Sequence, residues 1–195
     1  MKKAEEGKAV LLFVDASHFV MGCDFLGYLW CRVRRWVKTF SGRKRYNVLA
    51  ALDYITKKVW TVANDEYITA TQVCRLLQLV AEAYQGQAVH LILDNARYQK
   101  CKAVTELAAE LGITLNYLPP YSPNLHLIER LWKFVKGRIC NVHFDDFDKF
   151  KSVIDSIISG TDGEYKDQIN SLINKPHLLP EMTEISADVL QERVA

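Results

Sequence analysis

Three acidic residues stand at positions where a β-sheet would bring them together. Asp15 ends the apolar run Val-Leu-Leu-Phe-Val, Asp94 ends the run Val-His-Leu-Ile-Leu, and Glu129 lies in a segment with helical periodicity. Ligand sites in α/β sheets form at strand ends and at switch points in the strand order. If the two apolar runs are parallel neighbours, both aspartates lie at one edge of the sheet. Glu129 comes four residues after Leu125 and three before Trp132, so it lies near the apolar stripe of its helix and can face that edge.

Three carboxylates suit a divalent metal centre that acts on phosphodiesters. Mg²⁺ prefers carboxylate oxygens and completes its shell with water and substrate. Two ions about 4 Å apart can activate a water or a 3′-hydroxyl and stabilise the leaving oxygen. Taken singly, a strand-end aspartate is usually a turn residue and a helical glutamate is usually solvated. The joint placement therefore makes Asp15, Asp94 and Glu129 the candidate catalytic and metal-binding residues.

Length and composition narrow the class of protein. The 195 residues favour one domain that can bury a core without disulfides. The chain starts with charged residues and has no apolar run near the roughly 20 residues that a membrane helix needs, so neither a signal peptide nor a membrane span is predicted. The five cysteines include no C-x-x-C pair, which argues against a zinc site or a disulfide framework. We expect a cytoplasmic protein.

Basic residues are concentrated between Asp24 and Asp53, where no acidic residue occurs although the net charge of the chain is only +2. Trp30, Trp36 and Tyr46 interleave with them. Such a segment can lie along phosphates and stack on bases, although a solvated basic hairpin explains it equally well. The candidate DNA-binding residues, two of which lie on the helix of the third acid, are Arg32, Arg34, Arg35, Lys38, Arg43, Lys44, Arg45, Arg130 and Lys133.

The elements that must position these residues follow from hydrophobic periodicity and turn signals. Strands are predicted over 9–15, part of 19–35, 46–52, 59–62, 88–94 and 113–118, with turns at 41–42 and 55–58. Helices are predicted over 69–84, 101–111 (closed by Gly112), 124–140, 144–158, 165–173 and, last and short, 187–193.

This order of elements predicts the fold class. Three of the strands predicted before residue 69 would run antiparallel, and alternating helices and strands follow, which gives a mixed sheet covered by helices. The prediction is an α/β protein with a ribonuclease H-like, mixed five-stranded sheet flanked by helices, and with extra C-terminal helices. Residues 1–142 would form the catalytic domain, and residues 143–195 a helical extension of the same domain.

The segments around the acids carry a family resemblance. They are Phe13–Phe19 (FVDASHF), Asp94–Tyr98 (DNARY) and the region of Leu118–Trp132 that contains LPPYSPNL and IERLW. They resemble the DDE endonuclease domain of bacterial insertion-sequence transposases, in the wider group that includes the mariner elements. Glu129 follows Asp94 by 35 positions (129 − 94), which leaves 34 residues between them, the spacing typical of that group.

A further segment fits the resemblance and two positions depart from it. Ser41–Leu49 resembles the basic hairpin of the family. His126-Leu127 stands where Asn-Pro is common, and Gln99 stands where a histidine is common. Neither departure removes an acid.

The resemblance implies a transposase catalytic domain that cleaves DNA at transposon ends and joins the 3′-hydroxyl to target DNA, commonly at a TA dinucleotide. It implies two Mg²⁺ ions per site, with Mn²⁺ as a substitute. Asp15 would bridge both ions, with Asp94 and Glu129 each completing one. Asn95, which follows the second acid, is a supporting candidate that would orient a water or a phosphate, although a structural role in the turn at the strand end explains it equally well.

The resemblance also implies partners and a setting. A homodimer would assemble on paired transposon ends, and an N-terminal helix-turn-helix region that recognises those ends is missing from this chain. The protein would be prokaryotic and nucleoid-associated when bound to DNA. Two other functions stay open: a ribonuclease H-like nuclease or resolvase that only hydrolyses DNA, and an inactive DNA-binding fragment that regulates a full-length transposase.

Overall fold

The computed structural model describes residues 2–22, 32–33, 44–119 and 126–173. Within these ranges the strands are β1 Val10–Val20, β2 Arg45–Asp53, β3 Val59–Asn64, β4 Val89–Leu93 and β5 Ile113–Tyr117. The helices are α1 Lys2–Glu5, α2 Ala70–Ala83, α3 Lys102–Glu110, α4 Ile128–Ile139, α5 Phe147–Ser159 and α6 Lys166–Ile173, and a 3₁₀ turn covers Arg97–Gln99.

The described strands form one mixed sheet in the order β3-β2-β1-β4-β5. β2 is antiparallel to β1 and β3, whereas β4 is parallel to β1 and β5. The predicted mixed five-stranded sheet is therefore confirmed. The chain's first strand lies at its centre, so the strand order reverses between β1 and β4, and a switch point of this kind is where α/β sheets place ligand sites.

Alternating side chains of β1 pack on opposite faces of the sheet. Phe13 and Phe19 join the hydrophobic core that contains α4, α5 and α6. Leu12 and Val14 join the core that contains α2 and α3. Because strand side chains alternate with a period of two, Asp15 faces the same side as Phe13 and Phe19, which is the side of α4.

The C-terminal helices share a core with the sheet. Phe150 and Ile154 of α5 are fully buried in the cluster that also holds β2 and α4. The hydroxyl of Tyr46 on β2 donates to Asp155 on α5, 2.8 Å from Oδ1. The carboxylate of Asp146 caps α5 by accepting a hydrogen bond from the backbone N–H of Lys149. Apolar packing and the partly buried hydrogen bond between Tyr46 and Asp155 attach α5 to the sheet.

Most predicted elements are confirmed, but two boundaries near the acids are wrong. β1 does not end at Asp15 but continues to Val20, because residues 16–20 pair with the start of β2. Of the strand predicted within 19–35, residues 19–20 belong to β1 and most of the remainder lies outside the described residues. The turn predicted at 41–42 and the helix predicted at 187–193 also lie outside them. α4 begins at Ile128 and not near residue 124, so Glu129 lies in its first turn and not in its second.

The predicted end of α3 at Gly112 agrees with the structure. Gly112 follows α3 with a φ of 67°, a left-handed conformation that suits glycine at a helix end. The cysteines in the described ranges, Cys74, Cys101 and Cys140, are free thiols. None of the described helices is long and apolar enough to cross a membrane.

Candidate active site

Parallel pairing of β1 with β4 places two of the three acids side by side. Val14 is in register with Leu93, so Asp15 and Asp94 occupy the next positions along the two chains. Ile92, two residues before Asp94, packs against the core that contains α4. The alternation of side chains therefore directs both aspartates to the α4 side of the sheet.

Asp15 is partly buried, and its surroundings oppose its ionisation. Burial raises the pKa of its carboxyl group, and the charge of Asp94 raises it further. The imidazole of His126, the backbone N–H of Ala16 and the indole of Trp132 act in the opposite direction without cancelling the rise in pKa. A nearby positive charge would stabilise the ionised form of this carboxyl group.

Glu129 reaches the same region from the first turn of α4. The buried stripe of α4 packs the helix on the sheet, while Glu129 itself is exposed. Although Glu129 is exposed, partial desolvation of its carboxyl group raises its pKa. The charge of Asp15 raises this pKa further, and His126 lowers it. Asp94 therefore lies close enough to Asp15, and Asp15 close enough to Glu129, for their charges to interact.

Trp132 links the helix directly to the first acid. Its indole Nε1–H donates to Oδ2 of Asp15 at 3.0 Å, and its ring packs edge-on against Phe19, with centroids 6.1 Å apart. The helical spacing in the sequence places Trp132 on the apolar stripe of its helix but does not predict the hydrogen bond. The available signal was its place three residues after Glu129 on the apolar stripe.

Replacing Trp132 by Phe tests this contact. The variant keeps an aromatic ring against Phe19 but loses the donor to Asp15. A hydrogen bond to a charged group contributes about 1.5–3 kcal/mol, so we expect kcat for DNA cleavage to fall about 10- to 100-fold. Trp60→Phe on β3, which packs in the opposite core, is the matched control and should keep its kcat. Equal kcat in both variants would show that the indole donor does not matter.

The residues after Asp94 form a turn at the edge of the site. The side-chain amide of Asn95 donates to the backbone carbonyl of Leu118 and so ties the end of β4 to the end of β5. Its predicted role in orienting a water or phosphate therefore competes with a main-chain contact. The sequence analysis missed Tyr98, whose pKa is raised to about 12 by burial and then by the charges of Asp94 and Asp15. Its phenol thus stays protonated beside the two aspartates, and its place shortly after Asp-Asn was the available signal.

The predicted DNA-binding residues have mixed surroundings. Arg34, Arg35, Lys38 and Arg43 lie outside the described residues, and Arg32, Lys44, Arg45 and Lys133 are exposed. Arg130 has a structural contact, because its guanidinium Nη1 donates to the carbonyl of Leu172 on α6 at 2.6 Å. That bond attaches α6 to α4.

The prediction that Tyr46 belongs to a surface that stacks on bases is wrong. This residue is only 6% exposed, and its hydroxyl is bonded to Asp155. Because β2 is a central strand covered on both faces, its ring is part of the core and cannot stack on a base. Trp30 and Trp36 lie outside the described residues.

The acids fit a hard divalent cation by the chemistry of their donors. All three offer carboxylate oxygens. Burial first and then a neighbouring carboxylate raise the pKa values of Asp15 and Glu129, and a cation there would favour the charged form of both groups. Among residues 2–22, 32–33, 44–119 and 126–173, no three His, Cys, Asp or Glu side chains are gathered closely enough to hold one ion by themselves. Mg²⁺ sites that act on phosphates commonly use one or two carboxylates per ion, with water and substrate completing the shell.

Solved structures with a similar fold include transposase and integrase catalytic domains. The catalytic domain of Mos1 mariner transposase matches with a TM-score of 0.62 over 87% of this chain and 80% of that chain, at 16% identity. The Mos1 mariner paired-end complex with Mn matches with a TM-score of 0.61 over 83% and 52%, at 18% identity. The catalytic core domain of BIV integrase matches with a TM-score of 0.51 over 79% and 84%, at 17% identity. At these identities the likeness establishes the fold, and the predicted ribonuclease H-like fold is confirmed.

The family follows from the sequence itself. The chain spans 58% of the transposase chain in the Mos1 paired-end complex with the left transposon end and 51% of that in the Mos1 Strand Transfer Complex. No curated protein matches it. The profile of the DDE superfamily endonuclease domain matches residues 10–151, which run from the start of β1 into α5 and include all three acids. The chain therefore belongs to the DDE superfamily endonucleases.

Proposed function

We propose that this chain is the catalytic domain of a transposase that cleaves DNA at transposon ends and joins the 3′-hydroxyl to target DNA. The observation that carries the proposal is the meeting of Asp15 and Asp94 at the β1–β4 switch point, under a helix that presents Glu129. Membership of the DDE superfamily endonucleases supports it. So do fold relatives that include a strand transfer complex.

The site would use divalent metal ions held by its three acids. Asp15, Asp94 and Glu129 would hold two Mg²⁺ ions, or Mn²⁺ in their place. Bound there, the ions would supply activation of the attacking hydroxyl and stabilisation of the leaving oxygen. Asp15 is the candidate shared ligand, because it interacts electrostatically with both other acids.

The chain's own residues would prepare the site for these ions. Trp132 holds Oδ2 of Asp15, and the carboxylate has further lone pairs that can bind an ion. Tyr98 remains a hydrogen-bond donor at neutral pH and can face a phosphate oxygen near Asp94. The hydrogen bond from Asn95 to Leu118 fixes the turn that carries Asp94 and Tyr98.

DNA contacts and assembly extend the proposal beyond the acids. Arg32, Lys44, Arg45 and Lys133 are exposed cations that would contact phosphates. A homodimer would act on paired ends, and a helix-turn-helix region would supply recognition of the terminal repeats. Residues 143–195 would act as an extension of the 1–142 domain, with α5 and α6 supporting α4. In a prokaryotic cell the protein would be cytoplasmic and associated with the nucleoid when bound to DNA.

A joining assay with pre-cleaved duplex ends tests the reaction class. One substrate carries a 3′-hydroxyl at the cleaved end, and the matched substrate carries a 3′-deoxy end. With Mg²⁺ or Mn²⁺ and a target plasmid, we expect joined products from the first substrate alone, because strand transfer uses the 3′-hydroxyl as the nucleophile. Nicking without joining would identify a nuclease or resolvase. DNA binding without any cleavage or joining would identify a regulatory fragment.

A further inference from the structure

The segment that precedes Glu129 is attached to β1 by a buried histidine. His126 is 4% exposed, and its Nε2 lies 2.9 Å from the backbone carbonyl oxygen of Val14. Its ring also packs against Phe13, with centroids 6.1 Å apart. Val14 immediately precedes Asp15, so this contact joins the start of α4 to the strand at the first acid.

The chemistry of the contact fixes which nitrogen carries the hydrogen. A carbonyl oxygen only accepts, so Nε2 must be the donor. Nδ1 is buried and has no hydrogen-bond partner among the described residues. Within that part of the chain, the bond to Val14 is therefore the polar contact that orients the imidazole.

Glu129 lies between two such anchors. His126, three residues before it, bonds to Val14, and Trp132, three residues after it, bonds to Asp15. The two bonds thus end on consecutive residues of β1. Together they fix the first turn of α4 at both sides of the third acid.

The first turn of α4 needs an anchor because it has no side-chain cap. Leu127 occupies the N-cap position and offers no capping hydrogen bond. Helix starts leave backbone N–H groups unsatisfied and tend to fray without a cap. The backbone N–H of Glu129 donates to the backbone carbonyl of His126 at 3.0 Å, so the position of His126 directly constrains the backbone of Glu129.

We propose that His126 is a positioning residue, whose Nε2–H bond to the Val14 carbonyl holds Glu129 in place relative to Asp15. The inference rests on the proposed function of the acid trio. Misplacement of a catalytic group by about 1 Å can cost on the order of 10²-fold in rate. The anchor therefore acts on the chemical step through geometry and not through contact with substrate.

Three substitutions separate the hydrogen bond from the volume of the ring. Glutamine places its amide nitrogen about as far along the side chain as Nε2, whereas asparagine places it at the level of Nδ1 and falls short of Val14. Leucine fills the space without a donor. We expect H126Q to retain most of the kcat for joining, and H126N and H126L to lose roughly 10²-fold in kcat with KM for DNA unchanged. His90→Leu, four residues before Asp94 on β4, is the control and should keep its kcat.

A readout that needs no activity distinguishes this inference from the proposed function. Hydrogen exchange of the backbone amides of Glu129 and Arg130 should be faster in H126N and H126L than in the wild type and in H126Q. If the wild type joins no DNA, the proposed function fails, and the exchange rates still decide the inference. Unchanged amide exchange in H126L, or H126Q as impaired as H126L, would overturn it. If H126L does not fold, the contrast between H126Q and H126N decides in the same way.

Discussion

Replacing Asp94 by Asn is expected to lower DNA cleavage and joining by roughly 10³-fold or more, because a neutral amide replaces a carboxylate that would hold a divalent ion, and that ion would stabilise the negative charge of the transition state. The fold should be retained. Oδ1 of Asp94 accepts a hydrogen bond from the backbone N–H of Ala96 at 3.1 Å, and the amide oxygen of asparagine can accept the same bond. Single-turnover cleavage of a labelled duplex measures the rate, and fluorescence anisotropy measures DNA binding, which should stay within a few-fold of the wild type.

The control for this experiment is a neutralised acid elsewhere on the surface. Asp162 is exposed in the turn between α5 and α6, so Asp162→Asn changes the net charge by the same amount without touching the site. We expect wild-type cleavage from this variant and the same loss as in D94N from Asp15→Asn and Glu129→Gln. Cleavage by D94N at the level of the Asp162→Asn control would remove the assignment of the acid trio.

The strands that position the acids could be predicted because their signals are local. The apolar runs before Asp15 and Asp94 are continuous, as expected of strands buried on both faces. The extension of β1 beyond Asp15 could not be predicted in this way. Residues 16–20 are held by pairing with the start of β2, about 30 residues along the chain, and no local pattern shows that pairing.

The contacts that complete the site are long-range and were not predictable. Trp132 and Asp15 are separated by 117 positions and His126 and Val14 by 112. Helical periodicity placed Trp132 on the buried face but does not say which strand residue its indole meets. The same reason applies to Arg130, whose contact with Leu172 is 42 positions away. A basic residue next to a candidate catalytic acid can thus stabilise the fold, although its position in the sequence suggests DNA binding.

In the absence of metal, Asp15 should lower the stability of the folded protein at neutral pH. Its pKa is raised in the folded state above the ordinary value of 3.8. A group with a raised folded-state pKa contributes stability below its unfolded pKa and loses that contribution as the pH rises through the folded pKa. At neutral pH, ionised Asp15 therefore works against folding. Asp15→Asn removes this effect, so without metal its Tm should exceed that of the wild type at neutral pH, and the difference should shrink as the pH falls to about 4.

Metal binding should reverse this order of stability. A ligand present at 100 times its Kd stabilises the folded state by about 2.7 kcal/mol, and about 1 kcal/mol moves the Tm of a domain of this size by about 2–4 °C. Mn²⁺ should therefore raise the Tm of the wild type by about 5–10 °C, whereas Asp15→Asn should show little rise.

Asp155→Asn is the matched control for the metal effect. Burial also raises the pKa of Asp155, but this residue bonds to Tyr46 in the contact between α5 and β2. Its substitution should leave the Mn²⁺ shift intact. A full Mn²⁺ shift in Asp15→Asn would show that the ion binds elsewhere. We expect Asp15→Asn to be more stable than the wild type without metal and not to respond to Mn²⁺. This result would show that Asp15 is kept for catalysis at the expense of stability, because the charge that opposes folding would also hold the ion.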